Sequence, residues 1–76
     1  MDKIIKEIYH RKNNDNYLIR VVFDGESYIA YGFLGDKLIN ETRLDANGNS
    51  GLLDSDSPEI ENLIYLLIED INDAAY

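Results

Sequence analysis

The dipeptide Asp24-Gly25 stands between "YLIRVVF" (Tyr17 to Phe23) and "ESYIAYGF" (Glu26 to Phe33), two runs rich in β-branched and aromatic residues. Aspartate and glycine tolerate the positive φ that both central residues of a type I′ turn require, so the segment predicts an antiparallel hairpin with a two-residue loop. On that register Phe23 lies opposite Glu26, Val21 opposite Tyr28 and Ile19 opposite Ala30. Side chains alternate along a strand. Tyr17, Ile19, Val21, Phe23, Tyr28 and Ala30 therefore share one face, and Leu18, Val22, Ile29, Tyr31 and Phe33 the other. Both faces are partly apolar, so one covering layer leaves the second exposed.

Gly35-Asp36 marks a further turn, and "KLINETRL" (Lys37 to Leu44) follows as a weaker strand. The opening segment "KIIKEIYHRK" suits either a short amphipathic helix capped by Asp2 or a strand turned back by "NNDN"; its β-branched content favours the strand. Ser57-Pro58 is a helix start, with the serine hydroxyl available to cap an N–H and proline where its missing N–H costs nothing. The helix is expected from about Pro58 to Ala75. Ile60, Leu63, Ile64, Leu67, Ile68, Ile71, Ala74 and Ala75 fall within one arc at 100° per residue, which must face the sheet. The expected fold is α+β: an antiparallel meander of three or four strands with one C-terminal helix packed on one face.

A chain of 76 residues makes one domain with one small core, residues 1–76. The absence of cysteine excludes disulfides, thiolate metal sites and cysteine nucleophiles, and is compatible with a cytoplasmic protein. Charges interrupt the isoleucines of "MDKIIKEIYHRK", so this segment reads as neither a signal peptide nor a membrane span. Net charge is −8, unevenly placed: residues 1–20 carry five basic and three acidic groups, whereas residues 52–76 carry seven acids and no base. Direct nucleic-acid binding is disfavoured, because a phosphate backbone attracts Lys and Arg.

"LDANGNSGLLDSDSPEIEN" (Leu44 to Asn62) approaches a calcium-binding loop. Counting from Asp45, oxygen ligands Asp45, Asn47 and Asn49 occupy the first three ligand positions. The bend position is Ser50, glycine arrives one residue late at Gly51, the last ligand is the shorter Asp56, and a strand stands where the entering helix should be. Asn47-Gly48 is better read as a polar turn leading to the helix cap, with no metal or cofactor expected. His10 has no cysteine or local acid–base motif beside it, and "GFLGD" lacks the lysine and spacing of a phosphate loop. The chain is too short to build a deep cleft around a carboxylate pair, so no enzymatic activity is expected.

The helix breaks an electrostatic preference. Glu69, Asp70 and Asp73 crowd its C-terminal half, where the macrodipole disfavours each by roughly 0.3–1 kcal/mol when exposed, and no Lys or Arg stands at i±4. Tyr65 and Leu66 fall on the same side as Glu61, Glu69 and Asp73, away from the apolar arc. Two apolar side chains on an acidic surface make Glu61, Tyr65, Leu66, Glu69, Asp70 and Asp73 the candidate protein-binding residues, facing a basic partner such as a nuclease or another nucleic-acid-binding protein. In size, acidity, absent cysteine and its Asn, Ile and Tyr content, the chain is similar to small phage-encoded anti-defence proteins, including anti-CRISPR proteins and other nucleic-acid mimics. That resemblance implies an inhibitor class and carries no residue. Two other classes share these properties: a self-associating module, for example a homodimer covering the second sheet face, and an immunity or antitoxin protein that neutralises a nuclease.

Overall fold

Asn13 and Asn14 both adopt positive φ, 52° and 69°, and turn strand β1 (Lys3–Lys12) back onto β2 (Asp15–Phe23) with Lys12 opposite Asp15. Asparagine is among the few residues that tolerate this region, so the type I′ chemistry lies here. The computed structural model describes residues 2–45 and 53–74. The first segment is a strand, and it extends the meander: β3 (Ser27–Leu34) and β4 (Lys37–Asp45) complete one antiparallel sheet in the order β1-β2-β3-β4. Helix α1 (Pro58–Asp73) follows, giving the α+β architecture.

The β2–β3 loop corrects the expected hairpin. Phe23 pairs with Tyr28, Val21 with Ala30 and Ile19 with Gly32, two residues away from the register a two-residue loop would set. Only Gly25 has positive φ, at 102°. The Asp24 carboxylate accepts the backbone N–H groups of Glu26 at 2.9 Å and Ser27 at 2.8 Å, while the Asp24 N–H donates to the Ser27 carbonyl at 3.1 Å. The connection between the strands is thus three residues, Asp24 to Glu26, built around an aspartate that accepts from its own downstream backbone. A two-residue shift preserves parity, so the division of side chains between faces is unchanged. Leu34 pairs with Lys37 across Gly35-Asp36, where Gly35 supplies the positive φ of 62°.

Helix α1 crosses the sheet face formed by Tyr17, Ile19, Val21, Tyr28 and Ala30, and buries Ile60, Leu63, Ile64, Leu67 and Ile71 against it. Each fully buried aliphatic side chain contributes on the order of 1.5–3 kcal/mol. Ile68 and Ala74 are half-buried at the margin of the stripe, and Ala75 lies outside the described residues. The helix ends at Asp73, with Ala74 extended at φ −84° and ψ 154°. At the other end Ser57 has N-cap backbone geometry, but its hydroxyl makes no capping hydrogen bond and is buried without a partner. The start instead uses backbone contacts: the Ser57 N–H donates to the Asp54 carbonyl, and the Ser57 carbonyl accepts from Glu61. The hydroxyl of buried Tyr28 accepts from the Leu53 N–H at 2.9 Å, tying the segment before the helix to the sheet.

Candidate protein-binding surfaces

Helical spacing and three contacts place the exposed residues of α1. Asp70 accepts from Asn40 Nδ2 on β4 at 2.8 Å, and Leu66 and Asp70 line a groove of about 320 Å³ with Glu41 and Thr42. That flank faces β4. Asn72 Oδ1 is hydrogen-bonded to His10 Nε2 of β1 at 2.9 Å, which identifies the opposite flank. Glu61, eleven residues earlier and so at nearly the same angle, shares it. Tyr65, Glu69 and Asp73 occupy the crest between them. The six predicted residues therefore wrap around the helix: Leu66 and Asp70 sit toward β4, Glu61 toward β1.

Tyr65 is 61% and Leu66 56% exposed, surrounded by exposed carboxylates. Among the described residues no ion pair reaches Glu61, Glu69 or Asp73. Asp70 differs, because its bond to Asn40 joins the helix to the sheet. The helix has no basic residue in its last turn, yet Lys12 supplies one from β1: its Nζ donates to the carbonyls of Ile71 at 2.7 Å and Ala74 at 2.6 Å. Lys6 likewise reaches the Ser55 carbonyl at 3.3 Å and lies 3.9 Å from Asp56. Two lysines of the first strand, Lys6 and Lys12, thus serve the two ends of the acidic helix, and among the described residues no cation pairs with its crest.

The second surface is the sheet face away from α1, which is less exposed than expected: Val22 and Ile29 are buried, and the exposed apolar groups lie on the edge strands. Register carries three rungs across all four strands: Ile4, Val22, Ile29 and Arg43; Glu7, Arg20, Tyr31 and Glu41; Tyr9, Leu18, Phe33 and Leu38. The last rung is apolar from edge to edge. Arg20 pairs with Glu7 at 2.7 Å and stands 5.6 Å from the Phe33 ring centroid. A depression of about 430 Å³ opens here, lined by Ile4, Arg20, Val22, Tyr31, Phe33 and Leu38 among others.

Period-two alternation places Val22, Tyr31 and Phe33 on this face but does not reach Ile4 and Leu38. In a regular strand Ile4 and Ile8 would share a face. The register shifts between Ile4 and Lys6, so Ile4 sits opposite Val22 on the open face while Ile8 sits opposite Ile19 on the helix face. A second irregularity pairs Leu38 with Phe33 but Asn40 with Gly32, separating those two residues in the same way. Bulges interrupt the period-two signal; the exposed Tyr9 was accessible to that signal once β1 was read as a strand.

In the loop that resembles a calcium site, Asp45 accepts from Ser27 Oγ at 3.2 Å, while Asn47, Asn49, Ser50 and Gly51 lie outside the described residues. Among the described residues, no group of three or more acidic or histidine side chains could hold a metal ion, and no helix is long and apolar enough to cross a membrane. One carboxyl has a displaced pKa: the N–H groups of Glu26 and Ser27, with Arg43 nearby, hold Asp24 below the ordinary value of 3.8. No family model, curated protein or solved structure matches the chain, so a functional reading rests on these two surfaces.

Proposed function

We propose that the protein is a small non-enzymatic inhibitor that binds a basic, nucleic-acid-binding protein in the cytoplasm, with the crest of α1 standing in for phosphates. The observation that supports this most is the exposure of Tyr65 and Leu66 among carboxylates that have no ion-pair partner among the described residues. Residues four apart on a helix rise by about 6 Å, so Glu61, Tyr65, Glu69 and Asp73 follow one another as a ladder of anions interrupted by an aromatic ring. Lysine and arginine side chains that grip a nucleic-acid backbone would meet this ladder, and the tyrosine supplies the desolvated anchor that charge alone lacks. The bulk similarity to phage anti-defence and anti-CRISPR proteins supports the same class.

The surface separates two roles. Long-range attraction depends on the summed field and sets the association rate, whereas an aromatic anchor mainly sets the dissociation rate. The double substitution Glu69→Lys/Asp73→Lys is expected to slow association and reduce its salt dependence. Tyr65→Ala is expected to speed dissociation, costing more than about 1 kcal/mol of binding. Surface plasmon resonance against a basic protein captured by the wild type checks both; unchanged kinetics in folded variants would remove the helix crest from the interface.

A further inference from the structure

The open sheet face is where the structure carries an interaction beyond the helix. We propose that it is an isologous dimer interface: two copies pack these faces on each other and leave both α1 helices on the outside.

Three observations support a second copy as the occupant. The first is charge. All three arginines, Arg11, Arg20 and Arg43, project on this face among five carboxylates, Asp2, Glu7, Asp36, Glu41 and Asp45, so it carries both signs, whereas the charged residues on the crest of α1 are all acidic. Any approach through α1 sets acid against acid; approach through the sheet also brings arginines opposite carboxylates. A strongly charged macromolecule gains little on a face of mixed sign, whereas a copy of the same face sets arginines against carboxylates.

The second is shape. The face carries protruding apolar groups, with Tyr9 76%, Ile4 54% and Leu38 47% exposed, together with the depression over Arg20 that can receive one. Knob and socket on one surface are what a two-fold interface needs, since each residue pair occurs twice. Both bulges contribute, because each turns an apolar side chain, Ile4 or Leu38, onto this face at an edge of the sheet. Arg20 enters such an interface already paired with Glu7 and stacked on Phe33, which limits its desolvation cost.

The third is area. Four strands at about 4.8 Å spacing and about eight residues at 3.3 Å rise make a face of roughly 500 Å², so two faces in full contact cover at most on the order of 1,000 Å², with Val22 and Ile29 already buried in each copy. That lies at the lower end of specific interfaces and corresponds to a reversible dimer. The dimer does not depend on the partner-binding role of α1: a dimer that captures no basic protein, or a monomer that does, would separate the two readings.

Sedimentation equilibrium over about 5–500 µM tests it, since a reversible dimer in this range responds to concentration by mass action. The wild type is expected to show monomer–dimer equilibrium that tightens at high salt, as repulsion between the acidic surfaces is screened. Leu38→Glu and Tyr9→Glu, at opposite edges of the sheet, are each expected to raise the dissociation constant by about tenfold or more. Leu66→Glu, the same change on α1, should leave it unaltered. Both edge positions are exposed, and amide-resolved NMR spectra identify the folded variants. A monomer at every concentration would overturn the proposal, as would a dimer lost with Leu66→Glu or insensitive to both edge variants. A dimer lost with Tyr9→Glu alone would place the contact along the β1 edge and overturn it equally.

Discussion

The ammonium group of Lys12 lies 2.7 Å from the carbonyl oxygen of Ile71, and the same nitrogen lies 2.6 Å from that of Ala74. The last carbonyls of a helix have no partners within it and carry partial negative charge. Here they adjoin Glu69, Asp70 and Asp73, and no basic residue of the last turn opposes them. A cation from the far end of β1 takes that role, so the pairing of β1 with β2 and the stability of the α1 terminus are coupled through one side chain.

Replacing Lys12 with methionine retains most of the aliphatic stem and removes the donor. The expected loss is about 1–2 kcal/mol, since hydrogen bonds from charged donors and a cation at a helix C-terminus each contribute on this scale. Urea denaturation measures the loss. Hydrogen exchange should show the deficit concentrated in the amides of the last turn, while β2 and β3 retain their protection relative to the global value.

Gly32 is fitted to Asn40. A β-carbon at position 32 would collide with Asn40 Oδ1 and lie 3.5 Å from Ile71 Cδ1. Gly32→Ala is therefore expected to cost roughly 1–3 kcal/mol through overpacking. In an Asn40→Ala background the same change should cost at least about 0.5 kcal/mol less, because the principal clash is gone. A double-mutant cycle on thermal or urea unfolding reads the difference, and strict additivity would contradict the contact.

Asp24 links the β2–β3 loop to pH. Its folded-state carboxyl is held below the ordinary 3.8 by the backbone N–H groups of Glu26 and Ser27, then by Arg43. A depressed carboxyl contributes stability that is present above the unfolded value and lost as pH falls through the folded one. Asp24→Asn keeps an acceptor oxygen but has no charge to titrate. The stability difference between wild type and Asp24→Asn should be largest near neutral pH and shrink as pH falls from about 5 toward 2, followed by urea midpoints at each pH.

The positions that were legible in the sequence depend on local periodicity. The period-two alternation of β2 and β3 assigns Tyr17, Ile19 and Val21 to one face and Val22, Ile29 and Phe33 to the other, and the 100° arc of α1 identifies its buried stripe. Register was less accessible, because Asp24 prefers accepting its own downstream N–H groups to adopting positive φ, which Asn13 and Asn14 do instead. The cap at Ser57 shows the same limit: residue and backbone geometry agree with expectation, while the hydroxyl makes no capping bond and is buried without a partner. Tertiary partners lay furthest out of reach. Nothing near Asp70 in sequence indicates that Asn40 binds it, or that Lys12 closes the helix, since 30 and 62 residues separate Asn40 from Asp70 and Lys12 from Ala74. For that reason Asp70 makes a poor probe of binding, and Glu69 and Asp73 are better ones.

The central claim, that the crest of α1 binds a basic partner, is tested most directly by quantitative capture from a bacterial lysate with wild type and the Glu69→Lys/Asp73→Lys variant as paired baits, at about 50 and about 300 mM salt. Cations at positions 69 and 73 suit the helix C-terminus, so the variant should fold at least as stably as the wild type. The expected result is a set of basic, nucleic-acid-binding proteins retained by the wild type, weakened at the higher salt and lost with the variant. Tyr65→Ala should lose the same set. Equal capture of the same proteins by both baits, with the variant's fold intact, would contradict the claim.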